Sequence, residues 1–413
     1  MKSWPKVFVP AIDSRFNFPL LRIFNSSSQA VESLPLKEQY RMYVCGITPY
    51  DSTHLGHAAT YLTFDLINRF LSLSGSKVNF VENITDIDDP LLERANRDGI
   101  DWKLLAQSQI ELFRADMTSL RVIPPDHYVG AVESIDLVTQ KIDSLKEVNA
   151  LYQVGEDLYF RVHADPDFGS RSNISLDQKL QIFAERGGDP DRSGKEDPLD
   201  ALVWMNKRDG EPGWPSKYGE GRPGWHIECC AIALNYLEPD PHDDFSIDIQ
   251  GGGNDLIFPH HEMSAAQARV VTGKPFARMY VHSGMIGLDG EKMSKSLGNL
   301  VFVSTLMKSG VDPMAIRCAL IMQNYQQDRM WNTEQLIKAT QFLDELRLYL
   351  SRTECAPTDK VIQAIIDALS DNLDTESVFK ILEGWIEQNR ADMTGGNSGE
   401  LARALDSLLG IAI

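Results

Sequence analysis

The chain has 413 residues, of which 43% are hydrophobic and 24% are charged, and its formal net charge is −19. This length predicts about two or three domains, and the composition is typical of a globular protein rather than a disordered or fibrous one. The acidic charge argues against a long nucleic acid as the partner, because proteins that grip polynucleotides usually offer a basic surface to the phosphates.

Five cysteines, an odd number, indicate a reducing compartment rather than a disulfide framework. No apolar run approaches the roughly 18 residues of a membrane span. The first apolar stretch is interrupted by Pro10 and Asp13, so it does not resemble a signal peptide. We therefore expect a cytoplasmic protein with no membrane partner, and we expect a monomer, although the sequence does not report the oligomeric state.

The first elements along the chain predict a βαβ unit. Residues 42–46 are typical of a buried strand that ends in a turn, residues 57–72 of a helix with one apolar side, and residues 77–82 of the next strand. The fold class is therefore α/β, with a Rossmann-like parallel sheet. Ligands of such sheets lie at the carboxyl ends of the strands.

The later elements extend this pattern. Residues 102–147 predict helices, and residues 150–162 alternate like a hairpin with its turn at 155–157. The strand and helix pattern resumes at 245–249, 262–272 and 278–282, and everything after residue 300 predicts helices, namely 333–352, 359–370, 374–390 and 399–409. We divide the chain into 1–120 as the first half of a nucleotide-binding catalytic domain, 121–205 as an α+β connective insertion, 206–300 as the second half of the catalytic domain, 301–330 as a helical linker, and 331–413 as a C-terminal helical bundle.

The segment His54-Leu55-Gly56-His57 stands between a predicted strand and the start of a predicted helix. Backbone amides at a helix start favour anions, and two imidazoles add donors that can follow phosphate oxygens into a transition state. Gly56 lets a nucleotide approach the backbone closely. Taken alone, the segment has an ordinary alternative, namely two surface histidines at a helix cap.

The segment Lys292-Met293-Ser294-Lys295-Ser296 follows a turn at 287–290. Its two lysines are suited to neutralising β- and γ-phosphate charge and then releasing pyrophosphate, although a solvated basic loop would have the same composition. Together, the two segments predict that His54, His57, Lys292 and Lys295 handle the phosphates of ATP.

These two segments resemble the signature pair of the class I aminoacyl-tRNA synthetases. Three further segments, at 43–51, 221–229 and 251–262, look like those of the cysteinyl-tRNA synthetase group. The resemblance runs over roughly residues 40–325. It implies a class I synthetase fold, ATP as a substrate together with Mg²⁺, and activation of L-cysteine as cysteinyl-adenylate.

The same resemblance implies that Cys45, Cys229 and His260 bind one zinc ion. Three protein ligands leave a fourth position open, which a cysteine thiolate can fill. Serine and alanine cannot make that bond, so the metal would supply a discrimination that a small pocket lacks. The ordinary alternative for the two cysteines is a buried structural role.

Cysteinyl-tRNA synthetases usually add a glutamate as a fourth ligand, four residues after the histidine. Ser264 occupies that position in this chain. A serine hydroxyl is a poor zinc ligand, so we expect a three-ligand site. We expect His261 to pack against the site without binding the metal, and Cys230 to point elsewhere on its helix.

The resemblance further implies that Asp255 bonds the ribose hydroxyls or steers the incoming nucleophile. Trp225 is expected to cover the adenylate, and Ile286 to offer backbone groups to adenine. Each of these residues also has an ordinary structural alternative, such as a cap, a turn or packing. The full set of candidates for binding the substrate and the adenylate is Cys45, Gly46, Ile47, Thr48, Thr60, Asn83, Ile84, Thr85, Trp225, Gly253, Asn254, Asp255 and Ile286.

Several departures from the synthetase pattern bear on the acceptor. Residues 331–413 hold seven Lys or Arg against fourteen Asp or Glu, which does not suit a domain that reads an anticodon. Ile47 and Pro49 replace the usual Pro and Val, and Ala59 replaces an arginine. With the segment 185–190, these features resemble the cysteinyl-tRNA-synthetase-like ligases of the actinobacterial mycothiol pathway, and that resemblance covers the whole length.

Those ligases join cysteine to glucosaminyl-inositol. The resemblance therefore implies two steps, in which the cysteine carboxylate attacks the α-phosphate of ATP and the sugar amine then attacks the adenylate carbonyl, giving an amide and AMP. We do not expect tRNA as a partner. Two alternatives stay open at this point, namely a truncated synthetase that charges tRNA and a catalytically inactive protein that binds zinc and an adenylate.

Overall fold

The computed structural model describes residues 1–51, 53–288, 290–293 and 298–413. Its strands are β1 (Arg22–Asn25), β2 (Ala30–Ser33), β3 (Gln39–Val44), β4 (Lys77–Ile84), β5 (His127–Gly130), β6 (Leu151–Val154), β7 (Asp157–Phe160), β8 (Ala201–Asn206), β9 (Gly221–Pro223), β10 (Ile247–Gly253), β11 (Ala277–Ser283), β12 (Ile286–Leu288), β13 (Glu291–Lys292) and β14 (Arg329–Trp331). Its α-helices are α1 (Leu55–Leu73), α2 (Asp89–Asp98), α3 (Trp102–Ser119), α4 (Ile135–Glu147), α5 (Leu176–Glu185), α6 (Trp225–Tyr236), α7 (Glu262–Thr272), α8 (Val303–Lys308), α9 (Pro313–Ile321), α10 (Thr333–Leu350), α11 (Asp359–Ser370), α12 (Thr375–Arg390) and α13 (Ser398–Leu409).

The centre of the molecule is a five-stranded parallel sheet in the order β11-β10-β3-β4-β5. β3 lies between β10 and β4, and the backbone N–H of Cys45 donates to the Gly251 carbonyl at 2.9 Å. The α/β class with a parallel sheet is therefore confirmed. Because all five strands run the same way, the residues that follow them meet along one edge.

Helix α1 is buried along nearly its whole length. His54 is its N-cap, and Ser74 is its C-cap. Its apolar residues face the sheet on one side and helices α9 and α13 on the other. This two-sided packing explains why the segment is apolar almost all round and lacks the polar stripe of a surface helix.

Two stretches predicted to be wholly helical each contain a strand. The region after residue 300 includes β14, which pairs with β12. Residues 102–147 are two helices, α3 and α4, separated by the edge strand β5 of the central sheet. Pro124 and Pro125 cannot continue a helix. Asp126 then fixes the register, because its N–H donates to the Phe80 carbonyl at 2.8 Å and its carboxylate accepts from the Phe80 N–H at 3.0 Å.

A second, antiparallel sheet has the order β6-β7-β8-β9; it begins within the predicted insertion and extends past residue 205, and we call it the insertion sheet. The predicted hairpin is confirmed, with Tyr152 opposite Tyr159 and Gly155 at positive φ in the turn. β9 then runs through Gly224 straight into α6, the helix that bears Cys229. The insertion sheet therefore leads directly to the site.

Helices α10 to α13 close the fold on the side of α1. α13 packs against α1, and α10 against α9. Two buried arginines, Arg69 and Arg317, donate to carbonyls at the end of α13. Among the helices that the structure describes, no helix is both long and apolar enough to cross a membrane.

Candidate active site

Three elements bring the predicted metal ligands together at the carboxyl edge of the sheet. Cys45 follows β3, Cys229 lies in α6, and His260 lies in the short helical turn Ile257–His261 that leads into α7. All three are buried, and their ligand atoms lie within 4.8 Å of one another. His260 Nε2 is 3.1 Å from Cys229 Sγ. Two thiols and one imidazole form a donor set that suits Zn²⁺.

The two thiols differ in their ease of ionisation. Burial raises the pKa of Cys45 well above its ordinary value, and the neighbouring Cys229 adds to this. Burial also opposes the ionisation of Cys229, but hydrogen bonds with Cys45 and the proximity of His260 outweigh it, so its pKa is well below the ordinary value. Both thiols must be deprotonated to bind a metal, and Cys229 loses its proton more readily than Cys45.

Ser264 and His261 both lie close to these ligands without joining them. The Ser264 hydroxyl accepts from Gln250 Nε2 at 3.1 Å and donates to the His261 carbonyl at 3.3 Å. His261 Nε2 lies 3.1 Å from Cys45 Sγ, while its Nδ1 contacts His282 Nε2 at 2.7 Å. Among the described residues, the metal-ligand group thus contains Cys45, Cys229 and His260.

Trp225 and His226, at the start of α6, hold His260 in place. The Trp225 ring stacks on the His260 ring with centroids 4.2 Å apart. His226 Nδ1 lies 3.1 Å from His260 Nδ1, so the other nitrogen of His260 faces Cys229. Trp225 thus covers one face of the His260 ring.

His54 and His57 stack at the start of α1 with ring centroids 3.7 Å apart. His54 Nδ1 accepts from the backbone N–H of His57 at 3.3 Å, which places the proton of the neutral ring on Nε2. Burial lowers the pKa of His54 to about 4 and that of His57 well below its ordinary value. Both imidazoles are therefore neutral donors near pH 7. A Cβ on Gly56 would lie 2.9 Å from the His54 ring.

Asn83 supports the loop after Cys45. Its Oδ1 accepts from the Gly46 N–H at 2.9 Å and from the Tyr43 hydroxyl at 3.0 Å, and its Nδ2 donates to Thr85 Oγ1 at 3.3 Å. A Cβ on Gly46 would lie only 1.5 Å from the Asn83 carbonyl oxygen, so only glycine fits there. Asn83 thus holds the loop after Cys45, the predicted substrate loop, through Gly46.

The next residues of this loop are tied to the segment after β4. The Thr85 N–H donates to the Ile47 carbonyl at 3.1 Å. Thr48 Oγ1 donates to Asp88 Oδ2 at 3.0 Å. Ile84 is fully buried, and its carbonyl accepts from the Ala131 N–H at 2.8 Å. Two adjacent strand ends therefore form one wall of the cleft.

The end of β10 lies on the other side of β3 from β4. A Cβ on Gly253 would lie 2.5 Å from Asp255 Oδ1 and 3.9 Å from Thr60 Oγ1, so these three residues adjoin. Asn254 beside them is exposed. The negative charge of Asp255 contributes to the raised pKa values of Cys45 and Tyr50, after the larger effect of burial. Asp255 therefore faces both the metal group and the loop of Tyr50.

The second phosphate-handling segment is described in part. Ile286 is buried at the start of β12, and Gly287 pairs with Lys292 of β13. Lys295 lies outside the described residues.

The structure adds site residues that the sequence reasoning missed. His226 orients His260, and His282 contacts His261. Glu228 is buried beside Cys229, and burial raises its pKa well above the ordinary value. The segment 225–229 carried a clue, because a Trp, a His, a Glu and a Cys crowded into one apolar helix start are unusual for packing alone.

Comparisons with known proteins agree with this geometry. The tRNA synthetases class I (C) catalytic domain family matches residues 32–341. An L-cysteine:1D-myo-inositol 2-amino-2-deoxy-alpha-D-glucopyranoside ligase of Kribbella flavida is 50% identical over the full length of both chains, and a ligase of the same name from Nakamurella multipartita is 51% identical, again over both full lengths.

Among solved structures, Mycobacterium tuberculosis methionyl-tRNA synthetase in complex with methionyl-adenylate has the same fold, with a TM-score of 0.63 at 17% identity, covering 91% of this chain and 89% of that one. The predicted class I synthetase fold is thus confirmed. The chain belongs to the class I (C) tRNA synthetase catalytic-domain family and, within it, to the group of the L-cysteine:1D-myo-inositol 2-amino-2-deoxy-alpha-D-glucopyranoside ligases.

Proposed function

We propose that this chain is an ATP-dependent ligase that activates L-cysteine as cysteinyl-adenylate and transfers it to the amine of glucosaminyl-inositol, releasing pyrophosphate and AMP. The observation that carries the proposal is the buried group of Cys45, Cys229 and His260 beside the stacked His54 and His57. This arrangement combines a metal-ligand group that can recognise a thiol with two imidazoles that can bind phosphates. Two relatives that match over the full length of both chains are named as ligases of L-cysteine and this amino sugar.

The first binding event concerns the side chain of cysteine. We propose that Cys45, Cys229 and His260 hold a Zn²⁺ ion, which when bound offers its fourth position to the substrate thiolate. Trp225 limits the space above His260, and the loop at Gly46 to Thr48 fixes the backbone next to it. Cysteine is thus held with its carboxylate toward the phosphate side of the cleft.

Adenylate formation then depends on phosphate handling. The substrate carboxylate attacks the α-phosphate, and pyrophosphate leaves with Mg²⁺ as its counter-ion. The neutral rings of His54 and His57 donate hydrogen bonds to oxygens that gain charge, which stabilises the transition state. We propose that Lys292 and Lys295 neutralise the leaving pyrophosphate, and that the backbone at Ile286 faces adenine.

Amide formation follows when the neutral sugar amine attacks the adenylate carbonyl and AMP leaves. Asp255 faces Cys45 and adjoins Thr60, and we propose that it orients the amine or accepts its proton. Replacing Asp255 with Asn should slow amide formation in a single turnover at least about 10-fold while cysteine-dependent ATP–pyrophosphate exchange stays within a few-fold. Weaker ATP binding with an intact amide step would refute this role.

The acceptor is tested directly with the whole enzyme. Cysteine-dependent ATP–pyrophosphate exchange is measured first, and glucosaminyl-inositol and tRNA are then offered separately. We expect AMP release and amide formation with the amino sugar and no charging of tRNA. Exchange followed by AMP release with tRNA alone would exclude the ligase.

We also propose that the enzyme works as a monomer in the cytoplasm. The five cysteines are all buried and unpaired in the described structure, which suits a reducing compartment. Light scattering of the purified protein should give the mass of one 46.3 kDa chain. A mass twice as large would show that the protein is a dimer and that the proposed monomeric state is wrong.

A further inference from the structure

A partly exposed surface lies beside the cleft, between the start of α2 and the loop before β9. We call it the α2 face and define it by Asp89, Glu211, Trp214 and Arg222. It adjoins the substrate loop through Asp88, which accepts from Thr48 Oγ1 at 3.0 Å.

The charged groups of the α2 face are held in fixed positions. Arg222 is 6% exposed, and its Nη2 donates to Asp89 and, at 3.3 Å, to Glu211. The Nε of Arg222 is buried and meets no partner among the described residues. The Asp89 side chain is still 59% exposed. The face thus offers carboxylate acceptors to a ligand from solvent, and the buried guanidinium of Arg222 holds those carboxylates in place.

An aromatic ring completes the α2 face. Trp214 is fixed by two backbone hydrogen bonds with Gly221, at 2.7 and 3.0 Å. Its ring meets Trp102 edge to face with centroids 6.3 Å apart, and both rings are partly exposed. The chain from Gly221 continues through Arg222 to Trp225, which stacks on His260. The face is therefore linked to the metal group through a short, buried stretch of chain.

We propose that the α2 face binds the inositol end of the acceptor. The inference rests on the proposed function, because the amine must reach the adenylate at Asp255, so the remote ring extends outward. A cyclitol presents many hydroxyls and a ring of C–H groups. The carboxylates of Asp89 and Glu211, which Arg222 holds in place, accept from the hydroxyls, and the indole of Trp214 packs against the ring. The carboxylates outnumber the single guanidinium, which disfavours the phosphates of a tRNA end.

The test separates the two half-reactions in the full-length enzyme. The KM for glucosaminyl-inositol should rise at least 10-fold in Trp214→Ala and several-fold in Asp89→Asn. The KM values for cysteine and ATP in pyrophosphate exchange should stay within twofold. Trp214→Phe keeps an aromatic ring and should restore most of the acceptor affinity.

Tyr236→Ala provides the matched control. Tyr236 is a partly exposed aromatic residue that packs against His127, the first residue of β5. It therefore lies at the amino ends of the strands, away from the site, and its loss should leave the acceptor KM unchanged. An unchanged acceptor KM in Trp214→Ala, or a parallel loss of exchange, would overturn the proposal. If the wild-type enzyme shows exchange but forms no amide with glucosaminyl-inositol, the proposed function itself fails instead.

Discussion

Cys229 shows how a single residue acquires a role from its surroundings. Cys230 is its neighbour in the chain and is equally buried, but burial raises the Cys230 pKa to about 12. Cys229 instead faces Cys45 and His260, and its pKa is lowered. The contacts, not the residue type, separate a metal ligand from a core thiol.

Replacing Cys229 with Ser should therefore remove the metal. Zinc measured by plasma mass spectrometry should fall from about one ion per chain to near zero, because three ligands become two good ones. The KM for cysteine in pyrophosphate exchange should rise at least about 100-fold, whereas the KM for ATP changes little. Cys230→Ala should keep its zinc. Full zinc content in Cys229→Ser would remove this residue from the ligand set.

His54 should make the stability of the protein depend on pH. Burial holds its pKa at about 4 in the folded state, partly opposed by the charges of Asp255 and Asp51, against about 6.5 in the unfolded chain. The unfolded state thus binds more protons between these values, and stability falls as the pH drops from 6.5 toward 4. Between pH 7 and pH 4.5, the loss from this group is about 2.4 kcal/mol.

Denaturant unfolding at pH 7 and pH 4.5 measures this effect. Asn at position 54 can still cap α1 but does not titrate, so His54→Asn should lose less stability on acidification than the wild type, by about 2–3 kcal/mol. The exposed His242 provides the control, since His242→Asn should follow the wild type. An equal acid loss in His54→Asn would show that the burial of His54 does not drive it.

At the scale of elements, the turn between β3 and α1 depends on close backbone packing. Gly46→Ala would place a Cβ 1.5 Å from the carbonyl oxygen of Asn83, so β3 and β4 would have to separate. Displacement of about 1 Å near a reacting group costs about 100-fold in rate, and cysteine-dependent exchange should fall by that order. Gly384→Ala, in open space within α12, should leave exchange unchanged and add about 0.5–1 kcal/mol of stability. Normal cysteine-dependent exchange in Gly46→Ala would refute the dependence of the site on this close packing.

The elements also show what the sequence could predict. The helices 262–272 and 359–370 match α7 and α11, because their apolar period and their ends are local properties. β5 was missed, since a four-residue edge strand owes its identity to pairing with β4 rather than to its own pattern. The metal group was predicted through resemblance, whereas the roles of His226 and His282 depend on contacts that only the fold creates.

At the scale of the whole molecule, the C-terminal helices are joined to the catalytic sheet through buried charge. Asp65 of α1 accepts from Arg69 Nε at 2.7 Å and pairs with Arg317 of α9. Arg317 also donates to the carbonyls of Leu409 and Leu120, each at 2.6 Å. One guanidinium therefore ties α1, α3, α9 and α13 together.

Arg317→Met should destabilise the protein by about 3–5 kcal/mol, because it removes one of the two arginine partners of the buried Asp65 carboxylate and leaves the Leu409 and Leu120 carbonyls without this donor. Urea unfolding measures the loss, and Arg352→Met, at an exposed position, should stay within about 0.5 kcal/mol of the wild type. Arg317 does not contact the cleft residues, so the exchange activity of the variant should be near normal at low temperature and disappear on mild warming. Full stability in Arg317→Met would mean that apolar packing alone holds the C-terminal helices against α1. The buried charges would then contribute nothing to the free energy of unfolding.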